Sequence, residues 1–149
     1  MKRIFLLVMI IWLTPSLRAQ QALTKDQEQV QQTVVKMFDA LSNRDSIKLK
    51  NYCTTDITLY EYGQIWNMDT LIHKAISMNT AVDFQRTNTF EFIRTETDKN
   101  IAWVTYKLSS VFIKNGKQTT IQWLETVLLN KQKGQWKIKN LHSTLLNKN

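Results

Sequence analysis

The 149-residue sequence has one cysteine, one proline and three glycines. With Cys53 alone, no internal disulfide can form, so stability rests on packing even in an oxidising compartment that favours bridges. A reactive thiol needs a histidine or cation beside it, and the local stretch NYCTTD supplies neither, so Cys53 reads as buried and inert. The scarcity of proline and glycine leaves no candidate linker, and no segment repeats or falls to low complexity. Long apolar runs are missing as well. Ile4 to Leu13 spans about ten residues, half of the ~20 that a membrane-spanning helix needs. Acidic residues number 12 against 20 Lys and Arg, a formal charge of +8. The lysines are spread through turns and strand exteriors (Lys99, Lys114, Lys117, Lys131, Lys133, Lys137, Lys139) without an arginine-rich cluster. They read as solvated charges, and no nucleic-acid partner is expected. No phosphate loop, GxSxG elbow, CxxC pair or HExxH motif occurs.

What is present begins with MKRIFLLVMIIWLTPSLRAQ: a basic start at Lys2 and Arg3, the short apolar run, Pro15, and the small residue Ala19 before Gln20. This is the layout of a secretory signal peptide, residues 1–19, rather than of a membrane anchor. Cleavage removes Lys2, Arg3 and Arg18 and no acid, leaving +5 of the +8. The expected product is one domain, residues 20–149, exported to the periplasm or secreted, with no membrane attachment after cleavage.

Within that domain, Thr24 with Gln27 forms a capping-box pattern ahead of Val30, Val34, Phe38 and Leu41, which predicts a helix over 25–42. A short second helix is expected from Asp45 to about Tyr52, with Ile47 and Leu49 as buried candidates. MDTLIHKAISM reads as a third, striped by Leu71, Ile72, Ala75 and Ile76. Between the second and third lies a short β segment, ITLYEY. Four long β runs close the chain: FQRTNTFEFIRTET, IAWVTYKLSSVFIK, QTTIQWLETVLLN and QWKIKNLHSTLL. DKN, NG and KQKG join them, and Asn115-Gly116 is the strongest hairpin signal, because a type I′ turn needs positive φ at both central residues. Helices followed by a long antiparallel meander predict an α+β fold whose twisted sheet curls around the first helix and leaves a concave face.

Two-residue turns at Lys99-Asn100, Asn115-Gly116 and Lys133-Gly134 fix the strand neighbours. Tyr106 then faces Glu125, Glu125 faces His142, Val127 meets Asn140 and Leu108 meets Trp123. One face is apolar with a polar centre of Tyr106, Glu125 and His142. The other carries Trp103, Leu124, Leu128, Leu141 and Leu145, too apolar to remain wet. A homodimer through this outer sheet face is expected, with lysines at its rim.

The ending WLETVLLNKQKGQWKIKNLHSTLL, and within it Trp136, Lys137, Ile138, Asn140, His142 and Ser143, resembles the C-terminal strands of the nuclear transport factor 2-like superfamily. That group includes SnoaL-like polyketide cyclases and ketosteroid isomerase. The resemblance covers essentially all of residues 20–149. It implies a cystatin-like α+β cone with a pocket between helices and curved sheet, commonly dimeric through the sheet. The fold hosts enzymes, binders and assembly domains alike, so no catalytic role is carried over.

Glu125 beside His142 can serve as a general base with its orienting partner, and Tyr106 can donate to developing negative charge. Equally, a buried Tyr, Glu and His can satisfy one another, because isolated buried charge is costly. Tyr60, Tyr62, Trp66 and Trp123 can line a pocket for a planar or apolar ligand, or simply fill the core. His73 has no second histidine or cysteine at metal-ligand spacing, so neither metal nor cofactor is expected. The reading is an exported small-molecule-binding domain whose ligand site combines Tyr60, Trp66, Tyr106, Trp123, Glu125, Asn140 and His142. The alternatives are a cofactor-free isomerase, cyclase or hydratase using Glu125 and His142 with Tyr106, and a structural dimerisation domain.

Overall fold

A computed structural model describes residues 22–149; the expected signal peptide lies outside the described residues. Helix α1 (Lys25–Ser42) starts where the capping box places it. Thr24 Oγ1 accepts from the Gln27 backbone N–H at 3.2 Å, and the Gln27 side chain accepts from the Thr24 N–H at 2.8 Å. Its apolar stripe, Val30, Val34, Met37, Phe38 and Leu41, is buried. Helix α2 (Ser46–Asn51) is capped by Asp45 and buries Leu49, but Ile47, expected inside, is 76% exposed. A six-residue helix presents only a narrow buried stripe, and Leu49 occupies it.

Six strands follow: β1 (Cys53–Glu61), β2 (Gln64–Trp66), β3 (Gln85–Asp98), β4 (Ile101–Lys114), β5 (Lys117–Gln132) and β6 (Gln135–Lys148). Between β2 and β3 lies α3 (Met68–Ile72), which widens into one π-helical turn at His73–Ser77. The strands form one mixed sheet in the order β2-β1-β6-β5-β4-β3. All three long hairpins have the two-residue turns expected, with positive φ at Lys99, at Asn115 and Gly116, and at Lys133 and Gly134. Asp83 locks the middle turn by accepting from the Asn115 and Gly116 N–H groups at 2.8 and 2.7 Å.

The β4–β5 register is as expected along its whole length, with Tyr106 opposite Glu125 and Leu108 opposite Trp123. The β5–β6 register is not. It holds from the turn to Leu129 opposite Ile138, then Lys139 is extruded as a β-bulge and Leu128 pairs with Asn140. Residues 140–145 of β6 consequently change face, until a second irregularity between Leu145 and Asn147 restores the original parity. Leu141, expected on the outer face, enters the core at 1% exposure, and Leu145 comes opposite Trp123. The core sits between α1 and the concave face of the sheet, where Ala102, Val104, Leu108, Val127, Leu129, Ile138 and Leu141 meet the helix stripe. Cys53 is buried, and burial pushes its thiol up to about 12, in keeping with an inert residue.

Candidate functional site

The concave face and the segment over its open end enclose a pocket of about 230 Å³. Its apolar wall comes from Phe38 and Leu41 of α1, Leu108 and Phe112 of β4, Trp123 of β5 and Leu141 of β6. Trp66, Lys74 and Ala75 close it from the β2–α3 side, with the Lys74 ammonium 4.8 Å from the centroid of the Trp66 ring. Lys74 and Ala75 belong to the π-helical turn, a distortion that occurs frequently at functional sites.

The polar floor is built by strand alternation. Ile57, Leu59 and Glu61 share one face of β1, so the strand that contributes two core residues delivers a carboxyl next. Parallel pairing of β1 with β6 sets Tyr60 beside His142 and Glu61 near Ser143. Ser143 Oγ lies 2.9 Å from Glu61 Oε1 and 2.7 Å from Glu125 Oε1. Glu125 itself is 3% exposed. Desolvation raises both carboxyls, Glu61 to about 7 with the Glu125 charge as its second cause.

Arg86 supplies the opposite charge. It is inserted between the Phe38 and Phe112 rings, 5.0 Å from each centroid, and its Nε and Nη2 donate to Asn88 Oδ1 at 2.9 Å and Ser110 Oγ at 3.2 Å. Asn88 is held in turn by Ser110 at 2.7 Å and Ser42 at 2.9 Å. Burial lowers the Arg86 guanidinium to about 10, still protonated at neutral pH. No carboxylate among the described residues is within ion-pair distance of it. Tyr106 lies behind the floor, fully buried, edge-on to Phe38, Phe90 and Phe92. Its Oη and Glu125 Oε2, both out of contact with solvent, face each other across the β4–β5 pair just outside strict hydrogen-bond geometry, close enough that each perturbs the other's ionisation.

Of the residues expected to form the site, Trp66, Trp123 and Glu125 line the pocket and Tyr106 backs it. Tyr60, Asn140 and His142 do not. The bulge at Lys139 turns Asn140 and His142 to the outer face, where Asn140 donates to the Thr58 carbonyl at 3.0 Å. His142 is exposed and packs edge-on against Tyr60, 43% exposed on the same face, at 5.9 Å. Glu125 therefore meets Ser143 where His142 was expected, and the Glu125–His142 pair is not formed. The functional groups missing from the expectation are Glu61, Arg86 and Ser143. Period-two alternation in ITLYEY puts Glu61 on the face of Ile57 and Leu59, a signal the sequence does hold. Ser143 carries none, because the bulge that brings it inward has no local mark.

Comparison with known proteins agrees with this architecture. The SnoaL-like domain matches residues 30–147. No curated protein matches the chain. Among solved structures, a nuclear transport factor 2-like protein from Cytophaga hutchinsonii superposes with a TM-score of 0.70 at 13% identity, covering 83% of this chain and 100% of that one. A ketosteroid isomerase-like protein from Erwinia carotovora atroseptica gives 0.68 at 16% identity, over 84% and 99% of the two chains. The CamKII hub homology domain of Chlamydomonas reinhardtii gives 0.68 at 19% identity, over 80% and 98%. At these identities the likeness establishes the fold: helices against a curved sheet, the nuclear transport factor 2-like α+β cone.

Proposed function

The chain belongs to the SnoaL-like domain family, and we propose that it binds a small apolar or amphipathic molecule inside its cone. The observation that carries this reading is the pocket of about 230 Å³, walled by aromatic and aliphatic side chains around a floor of Glu61, Glu125 and Arg86, with Ser143 joining the two carboxyls from behind. Few convergent polar groups in an apolar cavity are the general form of a small-molecule site. A cavity of ~150 Å³ accepts benzene, so this one suits a single substituted ring. Ala75 lines the pocket from the π-helical turn and is half-buried, so a larger side chain there fills the void without entering the helix–sheet core. One-ring aromatic fragments should raise the melting temperature of the wild-type protein. Ala75→Trp should keep the circular dichroism spectrum and lose about tenfold or more in affinity for those fragments. Undiminished binding in Ala75→Trp would place the ligand elsewhere.

We further propose export and pairing. The outer face leaves Trp103 of β4, Leu124 and Leu128 of β5 and Tyr60 of β1 between 37% and 43% exposed, with the exposed imidazole of His142 on the intervening β6. Such a patch favours a second copy packed sheet to sheet. Native mass spectrometry of protein recovered from outside the inner membrane should give twice the mass of a chain starting at Gln20, and Trp103→Glu should give the monomer. A chain retaining Met1, or a wild-type monomer at micromolar concentration, would contradict the respective proposal.

A further inference from the structure

Ser143 makes two contacts that one hydroxyl cannot satisfy with two carboxylates. Its Oγ lies within hydrogen-bond distance of both Glu61 and Glu125, yet a serine has one proton to donate and otherwise only accepts. The second contact requires a proton on a carboxyl, with that carboxyl donating to Ser143 Oγ. We propose that Glu61, Ser143 and Glu125 form a relay holding one carboxyl proton at the floor of the pocket. In our proposal this relay recognises an uncharged ligand group that donates and accepts hydrogen bonds together, such as a carboxamide. The inference rests on the pocket being a ligand site.

The charges around the relay support an uncharged partner. Arg86 from β3 carries one positive charge, and Lys74 stands at the mouth, occupied by the Trp66 ring and by Gln64 Oε1 at 3.3 Å. Tyr106 from β4 and Tyr62 after β1 face the same carboxyls and remain neutral, both phenols being raised above their ordinary value by burial. With one proton shared, the two carboxyls carry a single negative charge that balances Arg86. A carboxylate ligand meets that negative charge, and an ammonium meets Arg86. A carboxamide meets neither penalty. Its N–H supplies a partner for Glu61 Oε2, which lines the pocket and makes no hydrogen bond among the described residues, and its oxygen can accept from Arg86 Nη1, which makes none either.

Two measurements test this. In the protein labelled with ¹³C at glutamate carboxyls, Glu61 and Glu125 should titrate as a coupled pair, with one step near neutral pH that vanishes in Glu61→Gln. If both titrate within the ordinary carboxylate range, no proton is shared and the proposal fails, with no variant needed to show it. The second measurement compares benzamide, benzoate and benzylamine, three one-ring probes of similar size. Benzamide should bind the one-proton form, so with the upper titration at about 7 its affinity should be about tenfold weaker at pH 8 than at pH 6. In Glu61→Gln, whose amide mimics the protonated carboxyl, binding should persist and be flat with pH. A flat profile in the wild type, or loss of binding in a folded Glu61→Gln at both pH values, overturns the relay as the ligand's partner. Binding of a charged probe in preference to benzamide overturns the charge argument while leaving the pocket intact. Failure of all three probes removes the pocket reading as well.

Discussion

Truncating Leu141 to alanine should lower the unfolding free energy by about 2–5 kcal/mol, whereas His142→Ala, one residue along, should change it by less than about 1 kcal/mol. The difference follows from the Lys139 bulge. Leu141 is 1% exposed against the sheet core, so its removal forfeits apolar burial and leaves a cavity. His142 contributes an edge-on contact with Tyr60 on a face open to solvent. In an unbulged strand the two residues would exchange faces, and the order of the two effects would reverse. Urea denaturation of the two variants at one pH and one protein concentration therefore reads the register of β6 directly. A larger loss for His142→Ala would show that the bulge is absent.

The second large effect is a dependence of stability on pH carried by Glu61. Its carboxyl stands at about 7 in the folded protein against an ordinary value of 4.5, because burial and the Glu125 charge both oppose ionisation. Raised in the fold, it contributes stability that is fully present below 4.5 and lost as pH climbs through about 7. Between pH 4.5 and 8 the loss is on the order of 3 kcal/mol, an upper value because Glu61 is only partly buried and water reaches the pocket. Glu125 is shifted in the same direction by its own burial. Asp26, Asp45, Asp56 and Asp83 are lowered, chiefly by hydrogen bonds from Lys131, Lys48, Lys139 and the Asn115–Gly116 turn respectively. They act with the opposite sign, favouring the fold above the ordinary aspartate range and ceasing to do so as pH falls. Glu61→Gln leaves those four in place, so wild type should weaken relative to Glu61→Gln from pH 5 to pH 8. Parallel stability curves for the two proteins would mean that Glu61 ionises freely.

The two predictions converge on one strand. The same bulge that buries Leu141 presents Ser143 to Glu125, and the parallel neighbour β1 presents Glu61 to Ser143. Burying leucine in place of an imidazole gains roughly 2 kcal/mol of apolar transfer and avoids desolvating a polar ring. The cost is one extruded residue. That residue is a lysine whose ammonium pairs with Asp56 at the surface, and the next, Asn140, is tied to the Thr58 carbonyl. The bulge is thus held from the β1 side, by residues about 80 positions distant in sequence.

That distance explains what could be read in advance. The capped helix at Thr24, the three two-residue turns, the β4–β5 register and the burial of Glu125 with Tyr106 all follow from short-range physics. A capping side chain bonds three residues ahead, positive φ selects Asn-Gly and Lys-Gly, and period-two alternation carries a known turn along two strands. These made the α+β cone and half of its pocket legible in the sequence alone. Tertiary structure decided the rest: that β6 bulges at Lys139, that β1 returns parallel to it, and that Arg86 is clamped between Phe38 and Phe112. Each depends on contacts between segments far apart in the chain, where the free energy of burying Leu141 outweighs the simplest register. His142 belongs to the outer face and Ser143 to the carboxyls under the pocket for that reason.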